Sequence, residues 1–280
     1  MAEAPNFLAT QRIAVVSGGN KGIGLEICRQ LASKGILVIL TARDEKKGNE
    51  AVINMLKMDG HSNYNIIFHQ LDVTDIFSIV RLKDFIKDRF GKLDILQDLF
   101  IEKMKVATQT IDIAEECIKT NYYGAKWMIQ ELLPLLQLSD SPRIVNVSSS
   151  TGKLQHVRNE WAIGVLNNCD NLTEDKVDEV LNVFLKDFKE DLLESKNWPL
   201  TISAYVASKA ALNGYTRILA KKYPNFLINC VCPGYVKTDL CCNSGTLTVE
   251  EGAQSPVWLA LLPQGGPSGN FYNRKELSSF

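Results

Sequence analysis

Short, nearly continuous apolar runs alternate along this chain with longer stretches in which apolar residues recur every three or four positions. Ile13 opens the first run, a buried strand passing through IAVVSGGNKGIG into a glycine-rich turn and a helix over Leu25–Ser33. Ile36–Thr41, Asn65–His69, Lys92–Leu96, Arg143–Val147 and Leu227–Val231 read as further strands. Helices are expected over Glu45–Met58, Ile76–Phe90, Ile111–Leu136 and Ala204–Lys222. Apolar strands separated by helices belong to a parallel sheet covered on both faces. The expected fold is therefore α/β, a single doubly wound, Rossmann-like parallel sheet with helices on both faces. No repeat, low-complexity tract or linker interrupts it, so residues 1–280 read as one domain.

Open sheets of this kind bind ligands beyond the carboxyl ends of their strands, and polar or glycine-rich residues collect there. The first strand ends in the glycine turn, the second in Thr41-Ala42-Arg43 and the fifth in Ser148-Ser149-Ser150. The third is followed by Leu71-Asp72-Val73 and the sixth by Pro233-Gly234. Gly18, Gly22 and Gly24 keep a G-x-x-x-G-x-G spacing. Such glycines let the backbone approach a pyrophosphate, and the following helix offers its free N–H groups and positive dipole end. Alone, the motif also suits an ordinary strand–helix turn; its place at the head of a βαβ pattern favours a dinucleotide.

An acidic residue after the second strand would bind the 2′-hydroxyl of NAD; this chain has Arg43 there, and Lys21 in the glycine turn. Two cations suit a 2′-phosphate, which selects NADP(H). Solvated surface charge is the alternative for both. Asp44 reads as the cap of the next helix. Tyr205 and Lys209 are four residues apart and share one helical face. A tyrosine near an ammonium can exchange protons with a substrate, although this spacing is common by chance.

Composition narrows the rest. With 45% hydrophobic and 22% charged residues and a net charge of −1, nothing draws the chain to nucleic acid or an anionic membrane. Residues 1–11 carry no signal-like apolar run, and no stretch reaches the roughly 20 apolar residues of a membrane span. Seven scattered cysteines suit free thiols in a soluble, cytoplasmic protein, and neither they nor the three histidines keep metal-ligand spacing.

SGGNKGIG, LTARD, LDVTD, NVSSS, YVASK and CPGYVKTD occur in the order found in short-chain dehydrogenases/reductases, which the chain resembles over nearly its whole length. GGNKGIG, HQLDVTD, SDSPRIVNVSSSTG and the Gly-Pro-Ser-Gly tail are similar to the plant carbonyl reductase branch, that of salutaridine and menthone/neomenthol reductases. The resemblance implies an NADPH-dependent ketone reductase, or the reverse alcohol dehydrogenase, acting on an apolar, cyclic plant metabolite such as a monoterpenoid or alkaloid. It implies that Ser149 binds the substrate oxygen and Tyr205 delivers the proton. Lys209 would hold the ribose and lower the tyrosine pKa, and Asn121 would anchor a relay water. The cofactor would lie on Ser17, Gly18, Asn20, Lys21, Gly22, Ile23, Gly24 and Arg43. Asp72 and Val73 would flank its adenine, with Tyr205, Lys209, Pro233, Gly234, Val236 and Thr238 completing the site. On residue type alone, Asn121 reads as a helix-surface amide, and Ser148 and Ser150 as strand-end polar residues.

Two stretches depart from that family. Ser149 and Tyr205 lie 56 positions apart, leaving an insertion over about 152–200 with a helix at Thr173–Ser195, capped by Asn171 or Thr173. In similar reductases such an insertion covers the oligomerisation surface, so a monomer is expected. Trp161 and Leu166 in it are candidates for the core or for a substrate-pocket wall. After the fourth strand the family has Asn-Asn-Ala-Gly, whereas Gln97-Asp98-Leu99-Phe100 stands here. Asp94 and Asn121 are also only 27 positions apart, too few for the active-site flap of that branch. A second expectation follows, that of an NADP(H)-binding protein impaired in catalysis by the lost loop.

Overall fold

A computed structural model describes residues 11–58, 65–99 and 109–280. Strands β1 (Ile13–Val16), β2 (Leu37–Ala42), β3 (Ile66–Gln70), β4 (Ile95–Asp98), β5 (Arg143–Val147), β6 (Leu227–Cys232), β7 (Phe271–Asn273) and β8 (Glu276–Ser278) form one sheet. Its order is β3-β2-β1-β4-β5-β6-β7-β8, parallel except for the antiparallel β7–β8 edge. The strand order reverses between β1 and β4, which opens the crevice where a doubly wound sheet takes its ligand.

The helices are α1 (Gly22–Ala32), α2 (Glu45–Met58), α3 (Ile76–Phe90), α4 (Ile111–Ile118) and α5 (Ala125–Leu136). A π-helical turn, Lys119–Gly124, joins α4 to α5. Then come α6 (Leu154–Val157), α7 (Glu160–Asn167), α8 (Glu174–Lys189), α9 (Ser203–Lys222) and α10 (Val249–Ala260). Successive strand residues face opposite sides. Ile13 and Val15 of β1 accordingly join one buried layer with α3, α4, α5, α8 and α9, while Ala14 and Val16 join the other with α1 and α10. No helix among the described residues is long and apolar enough to cross a membrane.

The sequence pattern locates these elements closely, with four corrections. The single helix expected over Ile111–Leu136 is interrupted by the π-helical turn. The fourth strand, expected over Lys92–Leu96, runs on to Asp98 because β1 and β5 offer partners that far, Val16 opposite Gln97 and Asn146 opposite Asp98. Its root is anchored by Asp94, whose carboxylate accepts from the Ile13 N–H (2.9 Å) and the Ser139 hydroxyl (2.5 Å). Helix α1 starts at Gly22 rather than Leu25, so the second half of the glycine motif is already helical. In the insertion Thr173 caps α8, accepting from Lys176 N–H, but the helix stops at Lys189, six residues short of Ser195. Trp161 is 42% exposed and belongs to no core cluster, whereas Leu166 lies in the core. Phe100 lies outside the described residues.

Candidate active site

The first wall of the site is the glycine turn. Gly18 (φ +60°) and Gly22 (φ +56°) take left-handed backbone conformations that other residues enter at a cost. Gly24 is required for space, since a Cβ there would sit 2.3 Å from the Gly18 carbonyl oxygen. Lys21, the N-cap residue of α1, makes no side-chain cap, so the first turn of the helix presents its amides toward the turn. Behind the turn, buried Ser17 donates to Asp98 Oδ1 (3.2 Å) and accepts from the Leu99 N–H (2.7 Å), tying β1 to the end of β4.

In front of the turn lies a cleft of about 800 Å³. Gly18, Asn20, Lys21, Gly22 and Ile23 form one wall, and Arg43, Asp44 and Lys47 stand at the end of β2. Asp72 and Val73 follow β3, and Thr238 and Asp239 close the side beyond β6. Asp44 caps α2 as expected, accepting from the Lys47 N–H at 2.9 Å. The cleft thus gathers most of the proposed cofactor residues. Ser17 and Gly24 support it from behind. Pro233, Gly234 and Val236 do not line it; Val236 is 5% exposed and packs on Gly252. Left-handed glycines, an uncapped helix start and the cations Lys21, Arg43 and Lys47 fit the phosphates of an adenine dinucleotide.

The second part of the site lies deeper. Tyr205 and Lys209 share a face of α9, with the Lys209 ammonium 5.8 Å from the Tyr205 ring centre. Lys209 Nζ donates to the Val147 carbonyl (3.0 Å) at the end of β5. Burial pushes the Tyr205 hydroxyl above its ordinary pKa, and a hydrogen bond with Ser149 opposes that rise. Ser149 Oγ accepts from the Thr151 N–H (3.2 Å) and hydroxyl (3.0 Å), which fixes its orientation. Ser148 is a strand-end group bonded to Asn213 (2.6 Å).

Asn121 is fully buried in the π-helical turn. Its amide donates to Ser208 Oγ (3.1 Å) and to Cys117 Sγ (3.3 Å), while its Oδ1 has no partner among the described residues. Ser208 in turn donates to the Tyr205 carbonyl (2.9 Å). A chain of bonds therefore links the π turn to the backbone of α9 beside Tyr205. Ser208 went unremarked in the sequence although it sits inside YVASK; its spacing from Lys209 gives no hint of a role.

Asp98 is the other residue the sequence undervalued. It is 2% exposed, and its Oδ2 has no partner among the described residues. Burial pushes its carboxyl up to about 7, opposed by the Lys209 ammonium and the Ser17 hydroxyl. The same burial lowers Lys209 to about 8, opposed by Asp98. Both residues are buried, and the charge of each opposes the shift of the other. Leu99 and Thr120 line the cleft, whereas Asn121, Ser149, Tyr205 and Lys209 are not among its lining residues.

The insertion closes over one side of this layer. Asp178 of α8 accepts from the Tyr122 hydroxyl (2.8 Å) and Lys126 Nζ (2.7 Å), and Asp187 accepts from Trp198 Nε1 (2.8 Å).

A family model described as short chain dehydrogenase matches residues 12–160 and 194–246, leaving between them a stretch that holds α8. The chain is 54% identical to (+)-neomenthol dehydrogenase of Arabidopsis thaliana, over 97% of this chain and 99% of that protein. That alignment runs over 292 positions, more than the 280 of this chain, so the relative carries residues with no counterpart here. Among solved structures, salutaridine reductase of Papaver somniferum superposes with a TM-score of 0.89 at 49% identity, covering 94% of this chain and 99% of its own. Menthone neomenthol reductase of Mentha piperita gives 0.87 at 47%, covering 95% and 100%.

Proposed function

This chain belongs to the short-chain dehydrogenase family, and from that premise we propose that it is an NADPH-dependent ketone reductase, reversible as an alcohol dehydrogenase. Its substrate is an apolar, cyclic plant metabolite of monoterpenoid or alkaloid type, as the names of the relatives suggest. The observation that carries the reading is half-buried Ser149 set against buried Tyr205 and Lys209, with a hydrogen bond between Ser149 and Tyr205. The impaired-binder reading is not favoured, because the relatives that match end to end are named as reductases and dehydrogenases.

In this reading the Ser149 and Tyr205 hydroxyls hold the substrate carbonyl oxygen and stabilise the charge that develops on it. Tyr205 gives its proton to that oxygen in reduction and takes it back in oxidation. When bound, the nicotinamide supplies the hydride. Lys209 holds the ribose hydroxyls, and Asn121 steadies α9 through Ser208. Arg43 and Lys21 hold the 2′-phosphate, Arg43 through its planar fork. The protein works as a cytoplasmic monomer, a reading supported by α8 pinned across its layer and by seven free cysteines.

The test is an NADPH fluorescence titration of the purified protein, followed by addition of menthone and of a bulky alkaloid ketone. Binding with ketone-dependent consumption supports the reductase, and binding without consumption across a wider ketone panel overturns it. In the same titration Arg43→Ala should weaken NADPH about tenfold, the low end of a lost charge-assisted bond. NADH should bind Arg43→Ala as it binds the unaltered protein; equal loss of both would place Arg43 elsewhere than on the 2′-phosphate.

A further inference from the structure

Lys21 Nζ lies 2.6 Å from Asp239 Oδ2, which bridges the glycine turn to the segment following β6 across the front of the cleft. The two partners differ in freedom. Asp239 opens a short 3₁₀ turn, Asp239–Cys241. That segment is held by backbone bonds from Lys237 N–H to the Leu247 carbonyl (2.8 Å) and from Asn243 N–H to the Thr238 carbonyl (2.9 Å). Lys21 reaches it on a flexible four-carbon stem, and both side chains are more than half exposed (60% and 58%). An exposed pair of this kind is weak, and a doubly charged phosphate outcompetes a carboxylate for one ammonium. The cleft's other cations, Arg43 and Lys47, stand at the end of β2; Lys47 pairs locally with Asp44 (3.6 Å).

We propose that Asp239 is a specificity-determining residue of the cofactor cleft: it engages Lys21 in a bridge that a 2′-phosphate must open and that a dinucleotide lacking this phosphate leaves closed. The inference rests on the NADP(H) reading of the cleft. Asp239 acts as a built-in competitor. It lowers NADPH affinity twice, by occupying the cation and by repelling the incoming anion, and it thereby keeps oxidised and reduced cofactor exchangeable. NADH meets the same cleft with the bridge intact.

The experiment is direct binding of NADPH and NADH to the full chain, read by tryptophan quenching, for the unaltered protein, Asp239→Asn, Lys21→Met and the double variant. Asp239→Asn should bind NADPH about two- to fivefold more tightly, the scale of an exposed ion pair, and NADH unchanged. The gain should vanish in the Lys21→Met background and shrink as salt is raised. Asp239→Glu, which keeps the charge, should behave as the unaltered protein and controls for loop damage. Equal weakening of both cofactors in Asp239→Asn would overturn the proposal, because the bridge would then be a latch over the shared pyrophosphate. No change in either would overturn it as well. If the unaltered protein shows no preference for NADPH over NADH, the cofactor reading itself fails. A preserved preference with an unresponsive Asp239→Asn would sink this inference alone.

Discussion

Tyr205→Phe should lower kcat for ketone reduction by about 10²–10⁴-fold, the range for removing a positioned proton donor, while NADPH binds within about twofold of its normal affinity. The substitution deletes one hydroxyl from a ring that is 7% exposed and keeps its packing. The lost bond to Ser149 costs about 1 kcal/mol of stability, and Ser149 stays oriented by Thr151. The pH dependence has a definite sign. Burial holds the Tyr205 hydroxyl above the ordinary tyrosine value of about 10, so it is protonated throughout the neutral range. Reduction, which needs the phenol, should stay level through neutrality as far as this group is concerned. Oxidation, which needs the phenolate, should rise with pH. Steady-state kinetics in both directions beside an NADPH titration checks all of this. A parallel loss of binding and turnover would move Tyr205 out of the proton path and into cofactor binding.

The strands and most helices were legible because this fold writes itself as buried apolar runs broken by amphipathic stretches. Glu45–Met58, Ile76–Phe90 and Arg143–Val147 appear in the structure at the bounds the pattern gives. The site was legible where chemistry is tied to chain position, as at the glycine turn and at Arg43, since strand ends bring such residues to one edge whatever the loops do. The misses have a different physics. Helix α10 carries a capping box, Thr248 with Glu251, that local reading could have found. Strands β7 and β8 are three residues each, too short to show a period. The bonds from Asn121 through Ser208 to the Tyr205 carbonyl join residues 87 positions apart. Only folding reveals them. The electrostatic influence of Lys209 on Asp98 is likewise long-range in sequence, and Asp98 is placed by β4 running two residues past its apolar stretch.

Asp98 and Lys209 carry the second effect. Lys209→Ala should cost about 1 kcal/mol more stability at pH 8 than at pH 5 through the Asp98 carboxyl, one pKa unit being about 1.4 kcal/mol, beyond the packing lost with the lysine stem and any loss of cofactor binding. The Asp98 carboxyl is already displaced upward by burial, to about 7, with Lys209 opposing the displacement. Removing Lys209 raises it further. The folded variant then retains a proton that the unfolded chain releases at an ordinary carboxylate pKa of about 4. Its stability therefore falls as pH rises from that value through the folded-state value, then levels off. The difference is absent at pH 5, where Asp98 is neutral with or without Lys209, and present at pH 8, where the unaltered protein has released that proton and the variant retains it. Adding Asp98→Asn removes the titrating group, so the extra loss at pH 8 should disappear in the double variant while the loss at pH 5 stays. Urea unfolding of the unaltered protein, both single variants and the double variant at the two pH values measures the cycle. A Lys209→Ala penalty that is the same at both pH values, or one that Asp98→Asn fails to relieve, would show that the cost is lost packing of the lysine stem and that Asp98 and Lys209 are neighbours without being an ion pair.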